Sequence, residues 1–381
     1  DALPRILEYV LRQICIDLHR YPSYIYIQHP FSLYDVSPCE ARKKPSTKEN
    51  TADAPNIIKN GFLQEMGGIT MTNLPKIALG AWAWGNDGTF GTNYTVEQLR
   101  PVFDAAMAHG LNLWDTAYAY GMGTSEQMLG AFLKGRARDS YLIADKLTPQ
   151  CVDPSSDTPV ADMWEMQRKL LGVENMDIYW LHNTTEAPRW IERIAKFFEG
   201  KDDAPMIGVS NHNLTEIKEA DEILRAHGRK LGAVQNHYSL MNRSSEESGI
   251  LDYCRANDIR FFSYMVLEQG ALSGQYDTHH LMPDNAARAA VYNPIMDKVE
   301  LLNDSLKLLA DKYNVGIAQI PIAWAIGKGT LPIIGVTKEH HVIDALHAAK
   351  ITLTPEEITL LDSTADKLDF NTIRLWEKEM I

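Results

Sequence analysis

From Lys76 onward, short apolar runs rich in β-branched and aromatic residues alternate with longer segments of helical period, and no other feature constrains the fold as tightly. The strand-like runs are 76–81, 111–116, 141–146, 177–182, 205–211, 233–238, 259–264 and 331–336. Between them, helical patterns run over 96–109, 125–134, 160–171, 189–199, 214–227 and 246–257. Several stop at a glycine (Gly110, Gly135, Gly172, Gly200, Gly228), the residue that most easily adopts a left-handed cap. Strand starts from the second to the seventh recur every ~25–35 residues, the interval of parallel β-α units. Eight such units imply a closed (β/α)8 TIM barrel. No Gly-rich GxGxxG turn follows the first strands, which argues against an open dinucleotide-binding sheet. The last interval holds two helical patterns, 295–313 and 317–326, and reads as an insertion before the eighth strand; 277–294 reads as a loop.

Residues 1–65 are different. They carry equal numbers of acidic and basic residues, pass through Tyr- and Pro-rich sequence, and reach a polar linker over 41–50. They are expected to be an irregular or partly helical extension outside the barrel, which then spans 66–381. The chain opens with Asp1, and a natural start is expected near Met66 or Met71, the preceding residues being an added extension.

All of the formal charge of −13 lies in 66–381. A net-acidic surface repels phosphate backbones and anionic lipid, so neither nucleic acid nor a membrane is an expected partner. Apolar runs fall short of the ~20 residues a membrane-spanning helix needs. Cys15, Cys39, Cys151 and Cys254 show no metal-binding or disulfide spacing, which fits reduced thiols in the cytoplasm. No metal site is expected, and a monomer or small homo-oligomer is.

In such a barrel the reactive groups sit at the C-terminal ends of the strands. The second strand ends at Asp115, and its loop carries Tyr118 and Tyr120; the third ends at Lys146 and the fourth at His182. Singly, each has a plainer reading: a loop cap, rim packing, a solvated strand end, a structural histidine. Together they place an acid, a phenol, an amine and an imidazole on one rim. Asp115 can balance Lys146, and Lys146 would pull the Tyr120 phenol below its ordinary pKa of ~10.

The run Asp115-Thr116-Ala117-Tyr118-Ala119-Tyr120-Gly121-Met122-Gly123-Thr124-Ser125-Glu126, with Leu129-Gly130 after it, resembles the signature of the aldo-keto reductase family. Lys146, the strand ending in His182, Ile207–Asn211, Gln235–Tyr238 and Glu268–Gly274 are similar to later landmarks of that family, in the same order. The resemblance runs from about Leu74 to about Asp366. It implies a barrel that reduces carbonyls with a nicotinamide cofactor: Tyr120 as general acid, Lys146 paired with Asp115 to depress its pKa, and His182 orienting the carbonyl. It also implies a nicotinamide site of Tyr264, Ser210, Asn211 and Gln235, and a pyrophosphate strap that includes Leu267, Gln269, Gly270 and Leu272. Gly335, Thr337, Lys338, His341 and Asp344 would meet the adenosine end.

Departures from the family pattern temper these expectations. His341 stands where many NADPH-selective members place Arg, so NADPH is expected with NADH tolerated. Asp145 replaces the Thr that often precedes the lysine, and strand alternation should turn it away from the pocket. Trp82 and Trp84 could wall an apolar substrate pocket or pack the rim. A second expectation, of another class, is an NADPH-binding regulatory or sensor subunit with little turnover.

Overall fold

The computed structural model describes residues 74–372 together with 377, 378 and 380. The extension expected over 1–65 and the start expected near Met66 or Met71 lie outside the described residues. Eight strands, β1 (Ala78–Gly80), β2 (Leu113–Asp115), β3 (Leu142–Leu147), β4 (Ile178–Leu181), β5 (Met206–Ser210), β6 (Ala233–His237), β7 (Arg260–Tyr264) and β8 (Leu331–Gly335), form a closed barrel. Every neighbouring pair is parallel, and β8 closes on β1 through Ala78–Ile333 to Gly80–Gly335. The helices between them are α1 (Val96–Ala108), α2 (Thr124–Leu133), α3 (Pro159–Leu171), α4 (Ala187–Phe198), α5 (Leu214–Ala226) and α6 (Ile250–Ala256). After β7 come α7 (Met296–Tyr313) and α8 (Gln319–Gly327), and after β8 come α9 (Glu339–Ala348) and α10 (Pro355–Leu368).

Local chemistry explains many of the boundaries. Thr95 with Gln98, Asn213 with Glu216 and Thr354 with Glu357 make reciprocal capping boxes that satisfy the first free amides of α1, α5 and α10. The helix expected over 246–257 is broken at Gly249, whose φ of 76° lies in the left-handed region. The 277–294 segment is not wholly a loop, because Ala289–Tyr292 closes a short helical turn. No described helix is long and apolar enough to cross a membrane.

Two cores result from strand alternation. Ala78, Leu113, Ala144, Ile178, Trp180 and Phe262 are among the side chains filling the barrel interior, and a larger cluster fills the space between barrel and helices. Interior space is tight. A Cβ on Gly208 would lie 2.3 Å from the Trp180 ring, so glycine there lets the indole cross the barrel.

Candidate active site

The reactive layer is one pleat above this interior core. Side chains two residues apart on a strand share a face, so Leu113 leads to Asp115, Ala144 to Lys146, Trp180 to His182, Ala233 to Gln235 and Phe262 to Tyr264. Tyr120 comes from the β2–α2 loop. That loop lies hard against the turn after β1: a Cβ on Gly121 would lie 1.8 Å from the Gly85 carbonyl oxygen, and one on Gly85 2.7 Å from the Tyr120 backbone.

Lys146 is wholly buried and organises the site. Its Nζ donates to Asp115 Oδ1 at 2.5 Å, to the Thr116 carbonyl at 2.7 Å and to the Tyr120 hydroxyl at 3.2 Å. Gln235 Nε2 donates to the other Asp115 oxygen at 2.9 Å. Burial works against the ammonium, but Asp115 and Tyr120 outweigh it and raise the Lys146 pKa. Burial pushes Asp115 up, opposed by Lys146. Tyr120 also ends above its ordinary value: burial dominates, Lys146 pulls it down, and Asp115 pushes it back up. The net depression expected from the sequence is therefore corrected. The lysine acts in the expected direction, but desolvating a phenolate costs more than one ammonium, itself paired to a carboxylate, returns.

His182 meets Tyr120 edge to face, with ring centroids 5.8 Å apart. Burial and the nearby Lys146 hold its pKa well below the ordinary histidine value, so it is neutral. Its Nδ1 lies 2.6 Å from the Thr148 hydroxyl, and no other partner is described for that hydroxyl. A buried hydroxyl gives its hydrogen to an acceptor, so Thr148 donates to Nδ1 and the ring proton resides on Nε2. Trp82 stacks on Tyr120 at 5.7 Å and is fixed by Asp87, 2.8 Å from its indole nitrogen.

The residues expected on the nicotinamide side come together as well. Ser210 ends β5 and Asn211 follows it in the left-handed region (φ 65°). Tyr264 reaches Asn211 Oδ1 at 2.6 Å and Glu377 Oε1 at 2.8 Å. The strap after β7 has positive φ at Glu268, Gln269 and Gly270, and Glu268 anchors it by accepting from Tyr292 at 2.6 Å and contacting His237 Nε2 at 2.7 Å. At the far end, Gly335 is exposed at the end of β8 and Lys338 at the start of α9, and Thr337 donates its amide to His341 Nδ1 at 3.2 Å. Asp344 accepts from Gln319 at 2.8 Å.

The aldo/keto reductase family model matches residues 76–366. The chain belongs to the aldo/keto reductase family. Members of this family are oxidoreductases of the NAD(P)H-dependent class. Among curated proteins, this aldo/keto reductase is 29% identical to the chloroplastic pyridoxal reductase of Arabidopsis thaliana, over 79% of this chain and 85% of that one. It is 28% identical to an aldo-keto reductase of Gibberella moniliformis, over 76% and 90%. Among solved structures, an aldo-keto reductase from Klebsiella pneumoniae in complex with NADPH superposes with a TM-score of 0.61 at 22% identity, over 80% of this chain and 95% of that one. The glycerol dehydrogenase of Gluconobacter oxydans superposes at 0.66 and 22%, over 79% and 94%. These two structural matches show the shared barrel.

Three expected roles do not fit the geometry of this aldo/keto reductase. Trp84 walls no pocket: it is fully buried, donates to the Val336 carbonyl at 2.8 Å and packs on Trp114 and Phe132. Two residues after Trp82, it turns inward where the chain makes a short 3₁₀ turn. Leu272 is also in the core, with its amide given to Leu267. His341 brings no charge to a phosphate, because burial and then the neighbouring His340 and Lys338 push its pKa down to about 4. Two contributors were missed in the sequence, Thr148 and Glu377, while His237 and Glu268 lay inside noted landmarks but were given no role of their own. Of those two, only Thr148, just past the end of β3 and two residues beyond Lys146, carried a readable signal.

Proposed function

We propose that the enzyme reduces an aldehyde or ketone to an alcohol with NADPH as hydride donor, NADH being tolerated. The observation that carries this reading is the single buried ammonium that joins Asp115 to the hydroxyl of Tyr120, with the protonated edge of a neutral His182 beside it. The buried polar groups of Ser210, Asn211 and Gln235 fit a carboxamide, and the open backbone of the strap fits a diphosphate. Thr337 and Lys338, with the start of α9, fit a phosphate. Bound there, NADPH supplies the hydride that adds to the carbonyl carbon.

The protein's own groups do the rest. His182 Nε2–H donates to the carbonyl oxygen and fixes its position. As negative charge builds on that oxygen, the Tyr120 hydroxyl gives up its proton to it, completing the alcohol. Lys146 stabilises the resulting tyrosinate, and Asp115 keeps Lys146 aimed. Such preorganised donors lower the barrier by several kcal/mol because no solvent has to reorganise. Trp82 covers one face of Tyr120 and keeps water from it.

The test mixes protein, NADPH and a panel of aldehydes and ketones and follows loss of reduced-nicotinamide absorbance. Turnover with at least one carbonyl is expected, and Tyr120→Phe should abolish it while NADPH still quenches tryptophan fluorescence. Undiminished turnover in Tyr120→Phe would remove the proposed acid. NADPH binding without turnover in the unaltered protein would instead favour a sensor subunit.

A further inference from the structure

Asp145, one residue before the central lysine, lies on the outer face of β3 and is fully buried. Glu126 of α2 faces it, also fully buried and within hydrogen-bonding distance. Asp145 Oδ1 accepts the Lys146 amide at 2.7 Å. Among the described residues no donor is aligned on Asp145 Oδ2, and only the Gln167 amide comes near Glu126. Among the described residues no counter-ion is in contact with the pair: Gln167, a neutral amide, gives one hydrogen to the Lys146 carbonyl, accepts from Tyr179 and reaches Glu126 with the other, and the Lys146 ammonium is on the inner face, held by Asp115. Two ionised carboxylates in contact, without water or a cation, are untenable.

We propose that Glu126 and Asp145 share one proton as an acid–carboxylate pair that positions Lys146 and keeps one negative charge behind it. The backbone shows why a carboxylate is needed there. Leu142 and Ala144 direct their backbone groups to β2: the Leu142 amide donates to Asn112, and the Ala144 carbonyl accepts from Thr116. Lys146 is next in that series, but β2 has ended, and the Thr116 carbonyl takes the lysine's own Nζ instead. Asp145 and Gln167 replace the missing strand, one for each backbone group of Lys146. Because Asp145 accepts that amide, the charge resides on Asp145 and the proton on Glu126. Burial raises Glu126 to about 10 and Asp145 to about 6, which agrees with one proton on the pair at neutral pH. Tyr179, Tyr118, Asp115 and Lys146 are the other titratable groups close enough to act on the pair. Glu126 and Asp145 are positioning residues, acting on the carbonyl only through Lys146 and Tyr120.

Two measurements test this, and only the second rests on the reductase reading. In infrared difference spectra near neutral pH, the unaltered protein should show a protonated-carboxyl band that is missing in Glu126→Gln and in Asp145→Asn. Each single amide replaces the shared proton with an N–H donor and leaves one negative charge. In the kinetic measurement, both single variants should therefore keep the alkaline limb of the kcat/KM profile for reduction. The double variant Glu126→Gln/Asp145→Asn removes the charge, so Tyr120 should ionise more easily and the limb should move down by roughly one pH unit. Absence of the band in the unaltered protein, its survival in Asp145→Asn, or an unmoved limb in the folded double variant would overturn the proposal. If no carbonyl is turned over, the reductase reading fails and the infrared result alone decides the pair. If the double variant does not fold, the single variants decide it in the same way.

Discussion

Tyr120 keeps its proton across the neutral range because burial holds its pKa above the ordinary phenol value. A reduction that consumes this proton should have kcat/KM independent of pH near neutrality and falling once pH rises past the tyrosine pKa, as a pH–rate profile would show. Lys146→Met removes the ammonium proposed to stabilise the tyrosinate and should lower kcat by about 10²–10⁴-fold. Thr148→Val leaves His182 Nδ1 without its donor, so the ring can place its proton on either nitrogen. A loss of about tenfold in kcat/KM is expected, on the order of one hydrogen bond, with recovery in Thr148→Ser. His237 makes a stability prediction. It is buried, and burial works against its charge, but Glu268 and Glu377 flank it and raise its pKa to about 10. A histidine whose folded pKa exceeds its unfolded value stabilises most below the unfolded value, near 6.5, and loses that contribution as pH rises through about 10. His237→Ala removes the cation between Glu268 and Glu377, which keep their contacts to Tyr292 and Tyr264, and should cost about 1–3 kcal/mol in urea unfolding near neutral pH. In the unaltered protein, the imidazole resonances followed by NMR should titrate only near the top of that range.

At the scale of the element, α9 is where the proposed preference for NADPH would be decided. Its N-terminus brings a dipole, Lys338 brings a cation, Glu339 in the first turn opposes both, and His341 is neutral. One cation is a modest phosphate clamp. Lys338→Met should weaken NADPH by about tenfold, one charge-assisted contact, and leave NADH nearly unchanged in fluorescence titrations. An equal loss for both would place the 2′-phosphate elsewhere. Elements were the most legible part of the sequence: seven of the eight strands lie inside the runs expected for them and β3 passes its run only by Leu147, because β-branched runs bounded by Gly caps carry their own signal. The misreadings occurred where local pattern has no authority. Trp84 sits on a loop by sequence yet fills the space between barrel and helices, and Leu272 looks like part of a strap yet anchors it from below.

For the whole molecule, the barrel interior and the reactive layer are continuous, so packing below should be felt above. Gly208→Val would drive a side chain into the Trp180 ring, two residues before His182. Overpacking of this kind typically costs about 1–3 kcal/mol. Unfolding should show that loss, together with a lower kcat as His182 is displaced. The sequence by itself determined the eight-fold alternation, and with it the rim on which Asp115, Lys146 and His182 had to appear, because strand period and chain order are local properties. It also determined the resemblance that named their roles. Only the tertiary structure decided the balance of charges: that burial outweighs Lys146 at Tyr120, that Thr148 sets the proton on His182, and that Glu377 comes back from the chain's end to His237. Those outcomes depend on desolvation and on contacts between residues far apart in the chain, and neither is written in any local run of residues.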